Sequence, residues 1–167
     1  MDVKIGIIGG SGLDNPELFS NPIDVVVSTK WGDPSSMLKT GEIAGTKVVL
    51  LGRHGRMHTI PPSQVNYRAN IQALKDIGCT HILATTAVGS LREEIGRGDL
   101  VILDQFIDFT KQRKMSFHES FEPHTPMHTP MADPFNDKLR DLLVKGCTLM
   151  NLKHHEEDRK SACRERV

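Results

Sequence analysis

Three short segments carry the residues that could do chemistry. Gly9-Gly10-Ser11-Gly12 is a small-residue loop, Arg53-His54 is a cationic pair, and Ala87-Val88-Gly89-Ser90, just after Thr86, is a second small-residue loop. Backbone N–H groups in glycine-rich loops make concave nests for anions. The hydroxyls of Ser11 and Thr86 add donors. Arg53 offers a planar fork that matches phosphate oxygens, and His54 adds a further donor. Together these residues point to a site for phosphate or a similar oxyanion. Taken singly, each has a plain alternative: the glycines as turns, the threonine as a core residue, Arg53 as a surface charge.

Other chemistries fit less well. Gly10 and Gly12 are followed by Leu13, Asp14 and Asn15, so the third glycine of a dinucleotide fingerprint is missing. There is no Gly-x-x-x-x-Gly-Lys loop and no Gly-x-Ser-x-Gly nucleophile elbow. His54 and His58 are four apart, but Gly55 and the nearby prolines argue against the helix that such a metal pair needs. His118, His124 and His128 lie without a carboxylate or cysteine at ligand spacing, so no metal site is expected. His154-His155 is expected to be solvated.

The elements that must position these residues follow from apolar periodicity. Lys4 to Ile8 reads as a buried strand entering the first glycine loop. Asp24 to Thr29 is expected as a strand, and Met37–Ile43 with Lys47–Gly52 as a hairpin. Arg53 thus stands where a strand leaves the core. Pro61-Pro62-Ser63 is expected to open a helix with Ser63 as its cap. Tyr67, Ile71, Leu74 and Ile77 form that helix's stripe, and Gly78 closes it. His81–Thr86 and Asp99–Leu103 are further expected strands, separated by the loop Ala87-Val88-Gly89-Ser90. Residues 109–132 have no period and form a long loop. Asp133-Pro134 should start a second helix, with Phe135, Leu139, Leu142 and Leu143 on its apolar side and its end near Gly146. Strands alternating with helices indicate an α/β fold, a mixed central sheet flanked by helices. In such sheets ligands bind at the carboxyl ends of strands, so the three chemical segments can converge.

Composition sets outer limits. The chain has 167 residues with 21 basic and 21 acidic side chains, so no broad basic face for nucleic acid is expected. No apolar run approaches the length needed to span a bilayer, and the N-terminus has no signal-peptide pattern. The three cysteines are an odd number without Cys-x-x-Cys spacing, so no disulfide framework is expected and a reducing cytosol is the default. Nine of the seventeen residues from Asn151 to Val167 are charged. The only candidate for a returning strand there is Thr148-Leu149-Met150. Residues 1–145 are therefore read as one domain, and 146–167 as a charged, solvated or disordered tail.

Four segments, in order, carry a family resemblance: IGIIGGSGL from Ile5, RHGRMHTIPPSQVNYRANI from Arg53, TTAVGSLRE from Thr85 and DQFIDFT from Asp104. They resemble the 5'-methylthioadenosine phosphorylases, among the trimeric purine nucleoside phosphorylases. The resemblance covers residues 3 to about 145, roughly the first half of a family member. It implies a nucleoside-phosphorylase-like fold and phosphorolysis of methylthioadenosine to adenine and 5-methylthioribose 1-phosphate, in purine and methionine salvage. It implies inorganic phosphate as co-substrate, no cofactor, and phosphate contacts from Ser11, Arg53, His54, Thr86 and Ala87. It implies that His128 reaches the methylthio pocket of a neighbouring subunit in a homotrimer. It also implies a cytoplasmic location, extended to the nucleus. The family's Met-Thr-x-Glu-Gly-Pro-Arg stretch and its purine-binding aspartates are not found in this sequence, which leaves the catalytic residues unassigned. Two further readings stay open: a truncated, non-catalytic form that joins full-length subunits, and a phosphorylase for another purine nucleoside.

Overall fold

The computed structural model describes residues 2–10 and 19–156. The chain forms two compact units. The first comprises Met1–Ala87 with Gln112–Phe117, and the second Val88–Lys111 with His118–Val167.

The first unit is built on five strands: β1 Lys4–Gly9, β2 Ser20–Val25, β3 Leu38–Ile43, β4 Thr46–Gly52 and β5 His81–Ala84. Their order in the sheet is β2-β3-β4-β1-β5. β1 runs parallel to both β4 and β5, whereas β2 and β3 are antiparallel to their neighbours. The sheet is thus mixed, as expected. β4 is apolar at successive positions because both of its faces are covered. Val49 and Leu51 join Ile8, Leu38, Ala73 and Leu74 in one cluster. Val48 and Leu50 pack with Phe19, and against Ile7 and Ile43, on the other.

The hairpin β3–β4 forms as expected, closed by Ala44 and Gly45 at φ +48° and +76°. That pair of positive values matches the right-handed twist of the flanking strands. β2 is a correction: it lies at Ser20–Val25, not Asp24–Thr29. Pro22 is tolerated because β2 is an edge strand with a register shift between Ser20 and Ile23. Val26, in the apolar run that suggested the later position, is 79 % exposed.

Helix α1 spans Tyr67–Asp76. Its cap is Asn66, whose side chain accepts from the Ala69 N–H, and not Ser63. Pro62–Gln64 form only a 3-10 turn before an extended Val65. The C-terminal end is as expected: Gly78 has φ +88°. Its N–H bonds the Lys75 carbonyl, and the Cys79 N–H bonds that of Leu74, both at 2.9 Å. α1 lies close on β1 because residue 6 is glycine. A Cβ there would stand 3.1 Å from Leu74 Cδ1 and 3.2 Å from Cys79 Sγ. Burial in this contact pushes the Cys79 thiol pKa up. Cys79 and Cys147 are both free thiols.

The second unit holds β6 Leu100–Val101, helix α2 Asp137–Leu149 and β7 His154–His155. β6 is shorter than the expected Asp99–Leu103, and Leu100 is exposed. α2 starts at the Asn136 cap, which accepts from the Leu139 N–H, rather than at Asp133. It runs past Gly146. Thr148 and Leu149 end the helix and are not a strand. The turn closes with Asn151 at φ +53° and the Leu152 N–H on the Cys147 carbonyl at 2.8 Å. Only Cys147 of α2 is buried, so the expected stripe of Leu142 and Leu143 is exposed in this chain.

The returning strand is β7, parallel to β6. This corrects the expectation of a solvated tail for residues 146–156; residues 157–167 lie outside the described residues. His155 is not merely solvated. Its Nε2 is 2.9 Å from Asp99 Oδ2, which also takes Lys153 Nζ at 2.7 Å and the Gly96 N–H at 2.9 Å. These donors, Lys153 first, hold the Asp99 carboxyl well below the usual carboxylate range. Arg140 ties α2 to the ends of both strands through the Leu103 and Glu156 carbonyls, at 2.9 and 3.2 Å.

Candidate functional site

The carboxyl ends of β4, β1 and β5 lie side by side, and the backbone ladder extends one residue beyond each outer strand. The Arg53 N–H donates to the Gly9 carbonyl and the Thr85 N–H to the Ile8 carbonyl, both at 3.0 Å. Arg53 is only 9 % exposed. Its Nη1 reaches across the end of β1 to the Thr85 carbonyl at 3.0 Å. The crossing passes close to Gly10. A Cβ on Gly10 would stand 3.5 Å from Arg53 Nη2. The guanidinium has five N–H groups, and among the described residues only two hydrogen bonds engage them. The Nη2 edge, beside Gly10, keeps donors for an anion.

His54 is fixed by the turn that follows. Its Nδ1 is 2.9 Å from the Ile60 carbonyl, and the Ile60 N–H returns to the His54 carbonyl at 3.1 Å. Gly55, at φ +77°, makes the reversal possible; any side chain there would be strained. The His58 ring lies 5.8 Å from that of His54. Among the described residues no group of three or more His, Cys, Asp or Glu could hold a metal ion. No helix there is long and apolar enough to cross a membrane.

The structure therefore brings Arg53 and His54 to the strand end next to Thr85, with exposed Thr86 and Ala87 following directly. Ser11 lies outside the described residues. His128 belongs to the second unit, where it is exposed in the long loop. Gln105 Nε2 holds the end of that loop at the Ala132 carbonyl, 2.9 Å away.

Sequence reasoning missed the supports. The Gly52 N–H, just before Arg53, donates to Ser36 Oγ at 3.0 Å. The neighbouring Ser35 is held by buried Asn70 of α1, which accepts its N–H at 2.8 Å and donates to its Oγ at 3.0 Å. Asn70 is one residue from Ile71 of the expected apolar stripe. A polar residue beside the buried face of a helix was the available signal.

The comparisons with known proteins bear on this site. The Phosphorylase superfamily model matches residues 4–163, which include every element described above. The chain belongs to the phosphorylase superfamily. An S-methyl-5'-thioadenosine phosphorylase of Drosophila pseudoobscura pseudoobscura is 48 % identical over 157 residues, covering 93 % of this chain and 54 % of that protein. That of Xenopus tropicalis is 58 % identical over 118 residues, covering 70 % and 42 %. The superfamily fold is seen in the methylthioadenosine phosphorylase of Schistosoma mansoni in complex with adenine. It has a TM-score of 0.84 and 43 % identity, covering 93 % of this chain and 63 % of that one. The tubercidin complex of the same enzyme gives a TM-score of 0.85. The chain spans about half the length of the curated relatives it matches.

Proposed function

We propose that this superfamily member carries the phosphate site of an S-methyl-5'-thioadenosine phosphorylase. The observation that carries the reading is the Arg53 side chain, which spans from β4 to Thr85 across Gly9-Gly10 and presents its Nη2 edge there. Phosphate held at this edge is contacted by Arg53 and His54, with Ser11, Thr86 and Ala87 completing the cradle. The glycosidic C–N bond breaks with oxocarbenium character at the sugar. The held dianion stabilises that charge, and its oxygen forms the new bond to the anomeric carbon. The purine leaves as adenine with the proton that hydrogen phosphate gives up, and the sugar leaves as 5-methylthioribose 1-phosphate. No metal or cofactor takes part. His128 serves the methylthio pocket of a neighbouring subunit in a homotrimer acting in the cytoplasm and nucleus.

The test is phosphate-dependent release of adenine from methylthioadenosine. Release that scales with phosphate is expected. No release above blank refutes the activity for this chain. Parallel assays with adenosine and inosine decide the alternative of another purine nucleoside.

A second reading stands beside this one. In it the chain is a non-catalytic partner that joins full-length subunits. Co-expression with a full-length relative, followed by size analysis, decides this; purely separate elution sinks it.

A further inference from the structure

We propose that His54 makes the site select a tetrahedral oxyanion that carries one proton, hydrogen phosphate, over one that carries none, such as sulfate. This rests on the phosphate reading above and adds to it the protonation state of the ligand.

Both nitrogens of the His54 ring face partners whose roles are fixed. A carbonyl oxygen only accepts, so Nδ1, 2.9 Å from the Ile60 oxygen, carries a hydrogen. A guanidinium N–H only donates, so Nε2, 3.4 Å from Arg53 Nε, presents its lone pair. The two contacts together assign the hydrogen to Nδ1 and the lone pair to Nε2. A hydrogen on Nε2 would aim N–H against N–H at Arg53. Among the described residues, the other titratable group facing the ring is His58. Among the described residues no Asp or Glu bonds to either nitrogen.

An anion at this place meets two kinds of surface. Arg53 offers donors, which suit bare oxygens. His54 Nε2 offers an acceptor, which suits an oxygen that brings its own hydrogen. The Arg53–His54 contact is at the long end of hydrogen-bond range, so the Nε2 lone pair can take a second donor while Arg53 stays beside it. Hydrogen phosphate satisfies both surfaces: its P–OH donates to Nε2 while bare oxygens face Arg53. Sulfate, with no proton near neutral pH, sets a lone pair against a lone pair. Hydrogen arsenate has the shape and proton of hydrogen phosphate. A site that hydrogen-bonds a ligand O–H discriminates strongly against the analogue without it.

The experiment is calorimetric titration of the unaltered chain with phosphate, arsenate and sulfate at matched ionic strength near neutral pH. Arsenate is expected within about threefold of phosphate, and sulfate at least about tenfold weaker. His54→Lys turns the acceptor into a donor and should bring sulfate to within about threefold of phosphate. Nitrogen-15 shifts of the unaltered His54 ring should show a protonated Nδ1 and a bare Nε2, a readout that needs no variant. A phosphate-to-sulfate ratio below about tenfold, a ratio unchanged in folded His54→Lys, or a ring protonated on Nε2 each overturns the selectivity while leaving phosphate binding intact. No binding of phosphate at all overturns the phosphate reading and the selectivity with it.

Discussion

Replacing Arg53 with alanine should weaken phosphate binding by roughly 30- to 700-fold without unfolding the chain. A hydrogen bond to a charged partner contributes about 1.5–3 kcal/mol net. Arg53 presents more than one such donor along its Nη2 edge, and water takes back part of the loss in the variant. A net cost of roughly 2–4 kcal/mol follows, and about 1.4 kcal/mol is one decade in Kd. The substitution also removes the tie to the Thr85 carbonyl. That second loss should cost about 1 kcal/mol of stability, a fall of a few degrees in Tm. The assay pairs calorimetric phosphate titration with a thermal melt, so that binding and folding are read separately. Arg53→Lys keeps the charge but not the planar fork, and should recover only part of the affinity. A Kd within about threefold of the unaltered protein, in an Arg53→Ala variant with a cooperative melt, would refute the role given to this side chain.

Three further outcomes are expected. Asn70→Ala strips the buried partner of Ser35 and leaves its N–H bare, so urea unfolding should report a loss of about 2–3 kcal/mol. Leu74→Ala empties a fully buried position between α1 and β1 and should cost about 2–5 kcal/mol by the same measurement. The depressed Asp99 carboxyl contributes stability that is complete above the ordinary aspartate pKa, near about 4, and is lost as pH falls below it. Hydrogen exchange at the Leu100 and Ile102 amides, corrected for intrinsic rates, should therefore accelerate below about pH 4, and Asp99→Asn should flatten that dependence.

The parts of the fold legible in the sequence are those written in local pattern. β1, the β3–β4 hairpin and the Gly78 cap each combine an apolar period with a residue suited to the backbone. Both helices start later than their prolines suggest, for one reason. Prolines at 61, 62 and 134 are compatible with a first helical turn, but Asn66 and Asn136 supply the oxygen that meets the third helical N–H. β7 was invisible because its two residues are histidines. They are half-buried by pairing with Asp99 and β6, not by an apolar neighbourhood. Of the site, Arg53 and His54 were legible as residue types after a strand. Their orientation was not, because it depends on carbonyls of Ile60 and Thr85 that carry no side-chain signature.

The place of β1 has a consequence for how the chain is made. Among the described strands it leaves the ribosome before the others, yet both of its partners come much later: β4 begins at Thr46, and β5 ends at Ala84. At about 5–20 residues per second, the roughly 75 residues between Gly9 and Ala84 take about 4–15 s to appear. Until β4 emerges, Ile5, Ile7 and Ile8 form a β-branched segment with both edges unpaired, and the edge that takes β5 stays open for the whole interval. Distant pairing of this kind slows folding and leaves time for wrong partners. Yield in cell-free synthesis should therefore depend on holdase chaperones. It should also respond more to the rate of translation through residues 46–84 than to changes in the long loop after Phe109.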